Sequence, residues 1–279
     1  MTAPEVRRVR LDRLNLQYRE LGDGPPVLLV HGWPTSSFLW RNVMPAIARH
    51  RRVIAVDLPG FGGSDKPLDA SYGFEFFTGV LDAFLAAIGV DGKLAIVVHD
   101  LGGPVGLYWA AQNAERIERV AILNTVVYPE VSLAATAFFA ACRTPGIRWA
   151  MTSQLGLAAN LRLGVGDARR LPPDATEGVC APFRDPDARR ALALAGQGLS
   201  PPQLAAGAEW LQRTKIPVRV IVGAKDWLLP DIATTVARLR RDVPHAEVTV
   251  LDDCGHFLQE ERPEEIGELL ATFLGPNVS

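Results

Sequence analysis

Six short, mainly apolar runs constrain this chain most: Val27–Val30, Val53–Val56, Leu94–Val98, Val120–Leu123, Val218–Val222 and Val248–Leu251. Each is about the length of one strand, and consecutive apolar positions point to both faces of a sheet. Such strands are stable only where both faces are covered, which predicts a mostly parallel sheet. Helical patterns over about 37–49, 75–88 and 102–114 separate the runs, and another follows the last run from Pro263 to Leu274. Strands alternating with helices predict an α/β, doubly wound architecture. The segments Val6–Leu11 and Leu14–Glu20 alternate instead, and predict an antiparallel hairpin at the sheet edge.

The rhythm breaks between about 128 and 215, where the chain is rich in Ala and Leu, punctuated by Pro and Gly, and free of strand runs. The expected division is a core of 1–127 and 216–279 with a helical insertion at 128–215. That insertion fits a packing extension or a lid over the carboxyl edge of the sheet, where open α/β sheets bind ligands. The chemistry gathered at that edge favours the lid.

A chain of 279 residues can bury a large core without disulfide staples. Three cysteines, Cys142, Cys180 and Cys254, stand far apart with no CxxC pair, which excludes a disulfide framework or a zinc cluster and suits a reducing cytoplasm. Net charge is −2, which argues against nucleic acid or an anionic membrane as partner. The opening Met1–Arg10 has no apolar leader, and Leu133–Cys142 is about half of what spans a bilayer. Gly60-Phe61-Gly62-Gly63 lacks the Lys-Ser/Thr of a nucleotide loop, and His31, His50 and His245 lack metal spacing. The expectation is therefore a cytoplasmic protein with no cofactor and no metal.

Polar residues stand where strands end. Val98-His99-Asp100-Leu101-Gly102-Gly103 joins a strand to a helix, the setting of a turn that exposes one side chain above the sheet. Asp100 holds the exposed place. A carboxylate there can attack a carbon bearing a leaving group and form an ester; an aspartate in this place also fits a helix N-cap. Asp226 follows the fifth run and His256 the sixth. The order nucleophile, acid, base assigns His256 to activate water and Asp226 to orient it. The backbone N–H groups of Trp33 and Leu101 are candidates for an oxyanion hole, and Trp33-Pro34 for a cis bond.

His31-Gly32-Trp33-Pro34-Thr35-Ser36-Ser37, Asp57-Leu58-Pro59-Gly60-Phe61-Gly62 and His99-Asp100 resemble the α/β-hydrolase superfamily, above all its Asp-nucleophile branch of haloalkane dehalogenases, haloacetate dehalogenases and epoxide hydrolases. The resemblance spans essentially the whole chain, with 128–215 weakest, and implies an α/β-hydrolase fold with a cap. It implies cofactor-free hydrolysis of a small apolar substrate by water through an ester on Asp100. The run from Pro34 to Asn42 is most similar to haloalkane dehalogenases. Those enzymes usually hold the halide with a Trp after the nucleophile, and one subgroup adds an Asn after His-Gly; here Leu101 and Trp33 stand in those places. One subgroup carries its acid as a Glu after the sixth strand, where this chain has Asn124, so Asp226 takes the role.

Epoxide hydrolases protonate the leaving oxygen with lid tyrosines. Tyr128 borders the insertion and none lies inside it, which leaves an alkoxide without an acid. A halide needs only N–H donors, and the insertion holds Trp149 and Trp210. Either indole equally fits a core aromatic. Phe61 and Trp227 adjoin the site loops and fit pocket lining or ordinary loop packing. The expected activity is dehalogenation, with epoxide opening as the alternative and a hydrolase-fold binding protein without turnover as the third reading.

Overall fold

The computed structural model describes residues 3–130, 132–198 and 201–275. Eight strands form one sheet: β1 (Glu5–Arg10), β2 (Asn15–Leu21), β3 (Pro26–Val30), β4 (Arg52–Val56), β5 (Leu94–His99), β6 (Ile117–Leu123), β7 (Val218–Gly223) and β8 (Glu247–Leu251). Their spatial order is β1-β2-β4-β3-β5-β6-β7-β8. β1 and β2 are antiparallel, and β2 joins β4 antiparallel; the remaining pairs are parallel.

The apolar runs divide by parity between two cores. Leu28, Val30, Ile96 and Val98 enter one, while Val27, Leu29, Ala95 and Val97 enter the other. Burial on both faces is the physical reason that these strands carry no polar alternation. β8 differs because it is an edge strand: Val250 is exposed and only Leu251 of the strand is buried.

Twelve α-helices occur among the described residues: α1 (Met44–Ile47), α2 (Phe74–Ala87), α3 (Gly102–Gln112), α4 (Leu133–Arg143), α5 (Pro145–Met151), α6 (Gln154–Leu163), α7 (Ala175–Cys180), α8 (Pro186–Ala195), α9 (Pro201–Arg213), α10 (Ile232–Asp242), α11 (Leu258–Glu261) and α12 (Pro263–Leu274). The helix expected over 37–49 is instead a 3₁₀ turn, Ser37–Trp40, followed by the single turn of α1. Pro45 accounts for the break, since it has no N–H and its ring excludes the carbonyl four residues back. The sequence pattern also passed over α10, which covers the face between β7 and β8.

Helices α4 to α9 all lie between β6 and β7. α9 packs on α3, with Gly207 against Leu107 at a spacing where a Cβ would be tight. Among the described residues no helix is long and apolar enough to cross a membrane.

Candidate active site

Asp100 sits on the tight turn between β5 and α3 with φ +49°, a left-handed backbone that non-glycine residues seldom adopt. The turn is held from several sides. The Asp100 N–H donates to Asn124 O at 3.1 Å, and its carbonyl accepts from Thr125 Oγ1 at 2.6 Å and Gly103 N at 2.9 Å. Small residues permit the close approach. A Cβ on Gly102 would meet the His31 carbonyl oxygen at 2.5 Å, and one on Gly32 would overlap the Asp100 carboxylate.

The carboxylate is engaged at both oxygens. Trp33 N donates to Oδ1 at 2.5 Å. Oδ2 lies 3.3 Å from His256 Nε2. Burial alone would raise this carboxyl, but the adjacent His256, with the nearby Leu101 N–H, holds it below its ordinary range. The loop carrying Trp33 is itself fixed by His31, whose Nε2 accepts from Leu58 N at 3.1 Å while Nδ1–H donates to Gly32 O at 2.9 Å. The Trp33-Pro34 bond is cis.

His256 is fully buried, and its Nδ1 lies 2.8 Å from Asp226 Oδ2. Asp226 makes three further bonds. Asn124 Nδ2 donates to Oδ2 at 2.6 Å, and the N–H groups of Leu228 and Leu229 donate to Oδ1 at 2.9 and 2.8 Å. Burial opposes its charge, and these partners together with His256 hold Asp226 below the usual carboxylate range. For His256 burial opposes the charged form as well, yet the charge of Asp226, its hydrogen bond and the adjacent Asp100 carboxylate push it up to about 10. For its neighbour His99 the same two carboxylates do not outweigh burial. Burial, reinforced by the charge of His256, drives it down to about 3, so it stays neutral and donates Nε2–H to the His256 carbonyl at 3.0 Å.

The loop carrying His256 is seated on the segment after α6. The Gly164 carbonyl accepts from His256 N at 2.5 Å and from Phe257 N at 3.2 Å. Glu261 clamps the two segments together, its carboxylate accepting from Gly255 N at 2.6 Å, Gly166 N at 3.0 Å and Asp167 N at 3.1 Å. Arg41 adds a second tie, bonded to Glu260 at 2.7 Å and Asp174 at 2.9 Å.

Above Asp100 lies a cavity of about 380 Å³. Leu101, Val126, Phe138, Phe139 and Leu229 form much of its wall, so it is predominantly apolar. Of the sequence-expected aromatics, Trp33 and Trp227 line it. Trp33 Nε1 donates to Leu192 O at 3.2 Å, and Trp227 stands at the rim, 74 % exposed.

The others lie outside the wall. Trp149 is 68 % exposed on α5, because that short helix buries none of its residues. Trp210 is half-buried on α9, in a surface groove beside Ala111 and Arg213. Tyr128 is buried under the Arg238 guanidinium, 3.8 Å from its ring, in a separate hollow. Phe61 is buried edge-on to His31, centroids 5.1 Å apart, and supports the Trp33 loop from behind. Sequence reasoning missed the bonds of Asn124 to Asp226, although Asn124 ends β6 as the other polar residues end their strands. It also missed Asn160, in the cavity wall on α6, which belongs to no motif. The cysteines take no part: all three are buried, and burial pushes Cys142 and Cys254 up to about 12.

Comparison with known proteins gives the arrangement its class. Residues 25–146 match the alpha/beta hydrolase fold family. The chain belongs to the α/β-hydrolase superfamily and is a hydrolase. Its relatives narrow the branch. It is 32 % identical to a haloalkane dehalogenase of Sphingobium indicum, over 97 % of this chain and 95 % of the relative. The structure of the haloalkane dehalogenase DatA from Agrobacterium tumefaciens C58 superposes with a TM-score of 0.82 at 27 % identity, covering 97 % of this chain and 96 % of that one. The epoxide hydrolase CorEH shares the fold, with a TM-score of 0.81 at 24 % identity and coverage of 97 % and 98 %. The chain is thus similar over nearly its whole length to haloalkane dehalogenases, and it shares its fold with the epoxide hydrolase.

Proposed function

We propose that the protein hydrolyses small uncharged organic halides through an ester on Asp100, with 128–215 acting as the cap that encloses the substrate. One observation carries this reading. The ionised Asp100 faces an apolar cavity, and among the described residues of its wall no tyrosine or protonated carboxyl stands ready to protonate a leaving oxygen. A halide leaves without a proton, whereas an alkoxide does not.

Asp100 Oδ2 attacks the sp³ carbon from the side opposite the halogen; the carbon–oxygen bond forms as the carbon–halogen bond breaks, and halide departs with the electron pair. Ester formation removes the negative charge of Asp100. One of the supports that keep His256 protonated is then gone, and the imidazole gives its proton to solvent, which carries it off with the halide, and becomes a base. Water attacks Cγ of Asp100 and gives its proton to His256 Nε2, while Asp226 stabilises the imidazolium. The oxyanion that develops on Oδ1 meets the N–H groups of Trp33 and Leu101. Collapse expels the alcohol, protonated by His256, and the new carboxyl passes its remaining proton to His256, which restores the Asp100 carboxylate beside the imidazolium.

His256→Phe tests the scheme. With a substrate that the native protein turns over, mass spectrometry of the variant should show one covalent adduct, on Asp100. In the native protein, a single turnover in ¹⁸O water should place the label in the Asp100 carboxylate. Label in the product alcohol with none in Asp100 overturns the ester route.

A further inference from the structure

We infer that Asn160, on α6, donates its carboxamide N–H to the departing halogen. The inference rests on the halide reading of the same site. The Trp that usually follows the nucleophile in the resembling dehalogenases, and the Asn that one subgroup adds after His-Gly, are replaced here by Leu101 and Trp33. Their backbone N–H groups are engaged by Asp100, and the Trp33 indole N–H by Leu192 O. Trp227 stands at the exposed rim, and Trp149 and Trp210 lie outside the wall. Asn160 is the neutral hydrogen-bonding side chain that remains in the interior wall.

Its own state agrees with a ligand role. Asn160 Oδ1 is buried and has no hydrogen-bond partner. No bond to the protein fixes the carboxamide, and with Oδ1 shut off from solvent the NH₂ end is left to face the cavity that Asn160 lines. The amide therefore presents a donor where negative charge develops. The helix that carries it is not free to move. One turn further on, the Gly164 carbonyl holds His256 N at 2.5 Å, so the donor and the base share one rigid support. An apolar wall strengthens such a bond relative to water, and it forms as charge develops on the halogen.

The test compares native protein with Asn160→Leu, of similar volume but no donor, and Asn160→Asp, which keeps the shape and replaces NH₂ by an acceptor. Rapid-quench measurement should show ester formation from a chloroalkane slowed 10- to 100-fold in Asn160→Leu and more in Asn160→Asp, with ester hydrolysis unchanged. Iodide, which leaves with less help, should be slowed less than chloride. Bromide titration followed by quenching of tryptophan fluorescence should show binding at least tenfold weaker in Asn160→Leu than in native protein. Asn160→Ser, with matched circular dichroism and melting, serves as the control should Asn160→Leu misfold. Equal ester formation and equal bromide affinity in native protein and Asn160→Leu overturn the role of Asn160 and leave the halide reading intact. Native protein that releases no halide from any haloalkane defeats the halide reading. That outcome removes the departing halogen and overturns the role of Asn160 with it.

Discussion

Asn124 shows how one side chain ties two strand ends together. Its Oδ1 accepts from Gly223 N at 2.8 Å, and its Nδ2 donates to Asp226 at 2.6 Å. The orientation of the amide is thereby determined, unlike that of Asn160. Hydrogen bonds to a charged group contribute about 1.5–3 kcal/mol. If that bond tightens as His256 becomes imidazolium, Asn124→Ala should lower kcat by one to two decades, with KM little changed. Asn124→Asp should be worse, because a second carboxylate beside Asp226 favours sharing a proton and weakens the hold on His256. Steady-state kinetics of the two variants checks this ordering. An Asn124→Asp protein as active as the native one would show that Asp226 does not depend on its neighbour. Asp226 and His256 could be found in the sequence because each follows an apolar run. Asn124 obeys the same rule and was read only as the absence of a glutamate.

At the scale of elements, the turn from β5 to α3 stores strain that its neighbours make affordable. Asp100 keeps φ +49° because β3 passes close enough for Gly102 to lie against its carbonyls. Gly102→Ala should push α3 away from β3, since backbone oxygens cannot yield as a flexible side chain would. Overpacking of this kind costs about 1–3 kcal/mol, which lowers Tm by roughly 2–10 °C in a chain of this size. Turnover should fall further than stability, because the same shift carries Leu101 N–H away from the Asp100 carboxylate. Differential scanning calorimetry alongside activity separates the two effects. An unchanged Tm would show that α3 accommodates the methyl group by sliding along the sheet. The expected helix over 37–49 failed at this same scale: its apolar spacing was sound, and Pro45 overruled it.

Across the whole molecule the charge pattern sets both pH response and substrate choice. His256 is raised from about 6.5 in the unfolded chain to about 10. Its contribution to stability is thus complete below about pH 6.5 and lost as pH rises through about 10. Asp100 and Asp226 are held low, so theirs is present above about pH 3.8 and lost as pH falls through their lowered values. Urea unfolding from pH 6.5 to 10 should show the native protein losing a few kcal/mol more than His256→Gln. Parallel curves for the two would mean that the imidazolium is not held between the carboxylates. Among the described residues the cavity wall holds no Lys or Arg, and the His256 imidazolium is already held between Asp100 and Asp226, so a carboxylate-bearing substrate would sit beside Asp100 without a counter-ion of its own. Haloacetates should therefore show kcat/KM at least about 100-fold below that of an uncharged haloalkane of equal length. Comparable turnover of both would place a cation within reach of the substrate.

Short-range sequence pattern sufficed for the layered α/β sheet, its antiparallel edge hairpin and the three strand-end residues Asp100, Asp226 and His256. Apolar runs declare burial on both faces, and a polar residue directly after such a run has nowhere to go but the carboxyl edge. The helical wall of the cavity was not legible in this way. Helices α4 to α9 carry small and apolar residues on several faces, and what reaches the cavity depends on how each helix rolls against its neighbours. That packing turned Trp149 outward and laid Trp210 beside α3, while it brought Asn160 and Phe138 over Asp100. Composition and spacing are blind to such a choice, because the contacts that settle it join residues far apart in the chain.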